Sequence, residues 1–354
     1  MTKPIFFAIG QKYLEMDGLT DTILPWEDGQ RASTDPGTFE WWYFDAHFED
    51  GSTVVIVFAT KPIINPRTHL LPNLTLTITR AGGGKTSEID LPPAADFHAA
   101  TDSCDLRMGL STVRQEKKDG HWIYTLHAET KDQSADLVFT GLVSPWRPGA
   151  GKGYYGDLGH FFAWLPAIPF GTVEGKLTYD GETRRVRGTG YHDHNWGNVP
   201  LPSILDHWTW GRAHVGDYSL IFVEQIAAHR YGSRRLPVFL LAKGDKILVD
   251  DARFLTMRAG DFVRHSGGRE YPRNVDFLWS SGKERVRLSL NEPRLIEAAS
   301  LLEALPRFQR PLARLAANPY YFRFDANLEL EIELVGLKDN QYGRALYELM
   351  LLRK

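Results

Sequence analysis

The segment Gly190-Tyr191-His192-Asp193-His194-Asn195-Trp196-Gly197 collects most of the side-chain types that can move a proton near neutral pH. Read as an extended strand, it places His192, His194 and Trp196 on one face. Tyr191, Asp193 and Asn195 lie on the other, so each face pairs an acid/base group with an aromatic wall. The chemistry on offer is general acid-base transfer, with Asp193, His192 and His194 as candidate catalytic residues. Strict alternation keeps Asp193 away from the histidines unless a bulge or the Gly197 turn breaks the period. A structural alternative stands beside this one: a strand end whose polar groups exist to satisfy one another. A metal alternative would have His192 and His194 ligate one ion, with His207, His214 or Glu224 completing the set. No second histidine pair has matching spacing and Cys104 is the single cysteine, so no metal is expected.

Two further stretches combine carboxyl groups with rings. In Phe39-Glu40-Trp41-Trp42-Tyr43-Phe44-Asp45-Ala46, a strand puts Glu40, Trp42 and Phe44 on one face and Trp41, Tyr43 and Asp45 on the other. Later, Trp208, Trp210, Arg212 and His214 alternate with His207, Thr209, Gly211 and Ala213, and Glu224 shares a face with Tyr218, Leu220 and Phe222. A carboxyl group among apolar neighbours is raised by desolvation, which makes Glu224 a second candidate acid. The rival reading pairs Glu224 with Arg212 or another arginine. Trp42, Tyr43, Tyr191, Asn195, Trp196, Trp208, Trp210 and Tyr218 are the expected substrate-binding residues.

Other chemistries are excluded on pattern. Ala81-Gly82-Gly83-Gly84-Lys85-Thr86 resembles a phosphate loop, but Thr79 stands where that motif requires glycine, and no helix follows. It reads as a glycine hairpin turn. Hydrolysis by a serine triad lacks its Gly-x-Ser-x-Gly elbow.

The elements that must position these residues are strands. Phe322, Phe324, Ala326, Leu328, Leu330, Ile332 and Leu334 alternate with polar residues in period two, and Leu74, Leu76 and Ile78 alternate with threonines. Thr53 to Ala59 reads as a more fully buried strand. Glu49-Asp50-Gly51 and Tyr179-Asp180-Gly181 are expected hairpin turns. Helix-forming residues cluster at Arg294–Leu305 and Leu312–Ala317, predicting a short helical segment over 294–317. The spacing gives an all-β fold of antiparallel sheets closed into sandwiches or barrels. A boundary is expected at Pro200-Leu201-Pro202-Ser203, giving domains 1–200 and 201–354, and sites often lie where domains meet.

Composition narrows the partners. The formal net charge of -3 carries no broad basic field, which argues against nucleic acid. Ten Trp, fourteen Tyr and nineteen Phe supply rings to line a cavity for an apolar or cationic ligand, although two sheet-rich cores would use many of them. One cysteine allows no intrachain disulfide. The apolar run from Ile5 to Ile9 is too short for a secretory core or a membrane span, so the expectation is a soluble, cytoplasmic protein without stable membrane insertion. Oligomeric state is not written in any exposed heptad or apolar stripe.

Three motifs in order carry a family likeness. Glu40-Trp41-Trp42-Tyr43-Phe44-Asp45, then Gly188-Thr189-Gly190-Tyr191-His192-Asp193-His194-Asn195-Trp196-Gly197, then Trp208-Thr209-Trp210-Gly211-Arg212 resemble the hydroxyneurosporene synthase (carotenoid 1,2-hydratase) family, with its AttH-like relatives and the fungal Diels–Alderases of decalin biosynthesis. The motifs cover about half the chain. The resemblance implies two lipocalin-like β-barrel domains, a hydrophobic pocket, and no metal or organic cofactor. It implies hydration or cyclisation of an isoprenoid or polyene by alkene protonation, or a pericyclic ring closure. Asp193 or Glu224 would be the acid in the first case, with His192 and His194 orienting or regenerating it and Trp196, Trp210 and Tyr191 supplying π faces. Trp42, Tyr43, Asn195 and Trp196 would matter most in the second. A non-catalytic lipocalin-type carrier of a hydrophobic ligand is the third reading.

Overall fold

The computed structural model describes residues 3–62, 66–300, 302 and 319–353. Their regular structure is mainly antiparallel strand, and the chain divides into two compact units. Phe6–Pro200 form one; Leu201–Lys354, grouped with the first five residues, form the other.

In the first unit the central strand is Glu182–Gly197, paired on one side with Phe39–Phe48 and on the other with Asp157–Tyr179. The sheet continues through Thr53–Ala59, Asn73–Thr79 and Lys85–Asp90 at one edge. At the other it runs through Ser134–Gly141, His121–Glu129 and Ser111–Lys118. It curls so that Asn73–Thr79 meets His121–Glu129 across a core built from one face of each strand. Asn73–Thr79 shows the expected alternation, with Leu74, Leu76 and Ile78 buried. Thr53–Ala59 differs from the expectation: Val54, Ile56 and Phe58 are buried while Thr53, Val55 and Val57 are only half-buried. β-branched residues suit a pleated surface whether or not its second face is covered, so their run does not report burial on both sides.

Local chemistry sets the turns. Asp180 and Gly181 both have positive φ (53° and 74°), the conformation of the two-residue hairpin turn that matches strand twist. Gly188 answers a different need: a Cβ there would lie 2.0 Å from the His47 carbonyl oxygen, so only glycine lets the central strand approach Phe39–Phe48.

The second unit is a nine-stranded sheet in which Leu205–Val215 is flanked by Tyr218–Ala227 and Leu337–Leu351. Arg235–Lys243, next to the edge strand Lys246–Val249, meets Leu255–Arg264 at the other edge, curling this sheet around its own core. Tyr320–Leu334 is the long half-buried strand predicted from period two, with Phe322, Phe324, Ala326, Leu328, Leu330 and Ile332 inside. The two curled sheets are lipocalin-like in architecture. The predicted helix over 294–317 is corrected in its first turns: Arg294–Ser300 complete the strand Glu284–Ser300, paired with Tyr320–Asp325. Long-range pairing overrides a weak local preference there. Apart from Leu302, the remainder of that segment lies outside the described residues.

Candidate active site

The central strand keeps strict alternation through the motif. Its register with Phe39–Phe48 is unbroken from Gly188↔Phe48 to Gly197↔Phe39, and the irregularities fall in the pairing with the other neighbouring strand, between Pro166 and Ile168 and between Ile168 and Gly171. The acid/base residues are therefore split between two faces, and the structure does not bring Asp193 together with His192 and His194.

On the core face, His194 stacks on Trp42 (ring centroids 4.6 Å, 11°) and His192 on Phe44 (3.8 Å, 3°), each ring lying over its cross-strand partner. His194 Nε2 lies 2.8 Å from Glu40 Oε1, and His192 Nε2 lies 3.0 Å from Asp28 Oδ2. Asp28 Oδ2 also accepts from the Tyr124 hydroxyl at 2.7 Å, and the His194 Nδ1 to Asp28 Oδ1 distance is 3.4 Å. Asp28, His192 and His194 have no exposed surface. His192 Nδ1 faces the Tyr43 carbonyl at 2.9 Å, so both ring nitrogens meet acceptors. Burial, reinforced by the charge of Asp28, pushes the Tyr124 hydroxyl well above its ordinary value and keeps it a donor.

Asp28, Cys104 and His192 also bring ligand atoms within 4.8 Å of one another. They fit a metal poorly. Burial and the Asp28 charge push the Cys104 thiol well up, away from the thiolate that would bind metal, and Asp28 Oδ2 is already engaged by two partners.

The opposite face holds Asp193. Its Oδ2 accepts from Trp164 Nε1 and from the Tyr191 hydroxyl, each at 2.7 Å, and its Oδ1 accepts from Asn195 Nδ2 at 2.7 Å. Tyr191 and Asn195 are its own same-face neighbours, and Trp164 arrives from the adjacent strand opposite Asn195. Tyr43, cross-strand from Asp193, sets its ring edge-on to Tyr191 at 6.3 Å. Asp193 is 6% exposed. Burial pushes its carboxyl up from 3.8 to about 6, outweighing the Trp164, Tyr191 and Asn195 donors and the more distant charge of His192, which all pull it down. A carboxylate offers about four lone-pair positions and three are taken, leaving one on Oδ1 for a transferable proton.

The other predicted residues fall elsewhere. Trp196 packs against His194 with its ring tilted by 36° at 4.7 Å and lines a cavity of about 190 Å³ in the first unit. Glu224, Trp208, Trp210 and Tyr218 belong to the second unit. Glu224 is held by Arg235, with Nε 2.5 Å from Oε1, which is the ion-pair reading with an arginine from the next strand. Tyr218 is buried in the second core and donates to Asp339 at 2.9 Å. Trp210 is 8% exposed and Trp208 half-buried. Asp28, Tyr124 and Trp164 escaped sequence reading. Asp28 sits in a short turn 164 residues from His192, and no spacing announces such a pairing. For Trp164 the available signal was an aromatic two residues before a proline in a strand-like run.

Comparison with known proteins supports the likeness read from the three motifs. Residues 128–271 match the family model described as Diels-Alderase-like. Among curated proteins, the chain is 26% identical to hydroxyneurosporene dehydrogenase of Chlorobaculum tepidum, over 53% of this chain and 56% of that protein. It is 32% identical to the quinolone epoxide rearrangement protein asqO of Emericella nidulans, over 23% of this chain and 21% of that protein. The chain thus spans about half the length of the first of these relatives and a fifth of the second. Among solved structures, an AttH-type protein of Nitrosomonas europaea aligns with a TM-score of 0.65 at 14% identity, covering 95% of this chain and 98% of that one. CghA, solved with Sch210972, aligns at 0.60 and 14% identity, covering 95% and 96%. Kievitone hydratase from Nectria haematococca aligns at 0.59 and 12% identity, covering 99% and 98%. At these identities the structural matches establish the shared fold.

Proposed function

We propose, from the relation of this chain to Diels-Alderase-like and hydroxyneurosporene proteins, that it is an enzyme acting on a hydrophobic unsaturated small molecule, an isoprenoid or polyene, without a metal or organic cofactor. The reaction is protonation of an alkene followed by cyclisation or hydration. The observation that supports this is Asp193: a buried carboxyl raised to about 6, with three donors in place and one lone-pair position open.

The step balances within the site. The Asp193 carboxylic acid gives its proton to one alkene carbon, the π pair forms the new C–H bond, and the other carbon becomes cationic. Trp164, Tyr191 and Asn195 already donate to the carboxylate that remains, so no reorganisation is needed when it forms. Nearby rings, Tyr43 and Tyr191 among them, offer π faces to the cation. Capture by a second alkene with loss of a proton gives a ring; capture by water with loss of a proton gives an alcohol. Either way Asp193 recovers its proton. His192 and His194 act in this reading from the other face, fixing the strand through Asp28 and Glu40 rather than touching substrate.

A second reading is a pericyclase, favoured by the Diels-Alderase-like match across residues 128–271, which include Asp193 and Trp164. Tyr191 and Asn195 would then serve as hydrogen-bond donors to a carbonyl. Turnover of candidate polyenes in D2O separates the two. Alkene protonation places deuterium on carbon, read as a one-mass-unit gain, and Asp193→Asn abolishes it; a product free of carbon-bound deuterium and formed equally by Asp193→Asn refutes the acid role. Binding without turnover across the polyenes tried would favour the carrier.

A further inference from the structure

We propose that the cavity beside Trp196 is a binding site for the carboxylate end of a small amphipathic molecule. The cavity has a volume of about 190 Å³ and lies within the first unit. Its apolar wall comes from Trp26, Trp196, Phe161, Leu165, Leu19 and Ala150. Three cations and two acids complete the lining. Four of these charges cancel in pairs. Arg147 Nε lies 2.7 Å from Glu27 Oε2, with its remaining nitrogens bonded to the Gly149 and Thr20 carbonyls, and Lys152 Nζ lies 2.6 Å from Asp17 Oδ1.

Arg31 is left over. Its guanidinium lies 4.9 Å from the Trp26 ring centre and donates to the Gly29 and Thr101 carbonyls, which are neutral acceptors. Two of its five N–H groups are thereby used, and three remain. Burial lowers this guanidinium below its ordinary value, while Glu40, Glu27 and Asp28 attract it from further off. Those acids have nearer partners: Glu27 has Arg147, Glu40 takes His194 and the backbone N–H groups of Arg31 and Ala32, and Asp28 takes His192 and Tyr124. A half-buried guanidinium on an aromatic wall, with donors to spare and, among the described residues, no carboxylate against it, suits a carboxylate arriving with an apolar tail. At about 30 Å³ per water, the volume is roughly six waters' worth, smaller than drug-sized pockets of about 300–1,000 Å³. It therefore admits a short chain, or one end of a longer one.

Occupancy would also be felt in the core. Trp196 rests on His194, and Arg31 is tied through its backbone to Glu40, the same carboxylate that holds His194. The site does not depend on the chemistry proposed at Asp193, since its test reads binding and not turnover.

The probe is octanoate, titrated by isothermal calorimetry against octanol and octylamine. The expected result is one site per chain, with octanoate at least tenfold tighter than either. Arg31→Gln should erase the preference for octanoate. Leu19→Trp, which fills the cavity from a half-buried position and leaves Arg31 intact, should abolish octanoate binding while the thermal unfolding curve keeps its shape. Equal affinity for the three probes, octylamine binding tightest, or octanoate binding that survives Leu19→Trp would each overturn the assignment. If Arg31→Gln fails to fold, the probe series and Leu19→Trp decide it on their own.

Discussion

Replacing Asp193 by Asn tests the central electrostatic reading without knowledge of the substrate. Asn is nearly the same shape, and its Oδ1 can accept from Trp164 and Tyr191 as Asp193 Oδ2 does; turning the Asn195 amide over presents an oxygen to the new Nδ2. The variant therefore mimics the protonated acid. A native value of about 6 against 3.8 corresponds to roughly 3 kcal/mol, at about 1.36 kcal/mol for each tenfold change in proton affinity. The sign follows from proton counts. Between these values the native state holds the proton more often than the unfolded chain, so wild-type stability falls as pH rises through this window. Near pH 4 both native states are neutral at this position and the unfolded wild type is only partly ionised, so the two should agree within about 1 kcal/mol; by pH 7 the Asn variant should be the more stable by roughly 2–3 kcal/mol. Urea unfolding of the Phe6–Pro200 unit at the two pH values, with the wild-type-minus-variant difference as readout, measures this directly. A difference that stays constant within about 1 kcal/mol, or that grows in favour of the wild type as pH rises, would show that desolvation does not dominate at Asp193.

Asp28 and Glu224 should behave differently from Asp193 and from each other. Asp28→Ala leaves the Tyr124 hydroxyl and His192 Nε2 without their shared acceptor in a site with no exposed surface, so unfolding should become easier by about 3–5 kcal/mol, checked by thermal denaturation. Glu224→Gln removes a carboxylate whose partner Arg235 is well exposed, so the loss of stability should stay below about 1 kcal/mol. Turnover in Glu224→Gln should remain within about twofold of wild type; a collapse there, with Asp193→Asn still active, would move the acid to the second unit.

Much of the fold could be read from alternation. Tyr320–Leu334 and Asn73–Thr79 display apolar and polar residues in strict period two, and one buried face was enough to fix both their type and their inward residues. Arg294–Ser300 could not be read that way, because helix preference is a weak local term that the pairing with Tyr320–Asp325 outweighs. The candidate site was legible to the same degree. Period two correctly separated Asp193 from His192 and His194, since the register with Phe39–Phe48 carries no bulge from Gly188 to Gly197.

Sequence alone thus determined which side chains share a face, because side-chain direction in a strand is a property of the local backbone. Tertiary structure decided what each face meets. Curling the sheet brings Asp28 to His192, 164 residues away, and Trp164 to Asp193, and those encounters set which carboxyl is held for structure and which is lifted toward neutrality. Desolvation and hydrogen bonding depend on all the groups around an atom, and distant segments supply most of them. The same dependence gave Glu224 an arginine partner and left Arg31, among the described residues, with backbone carbonyls rather than a carboxylate against it, which no pattern in the chain foretells.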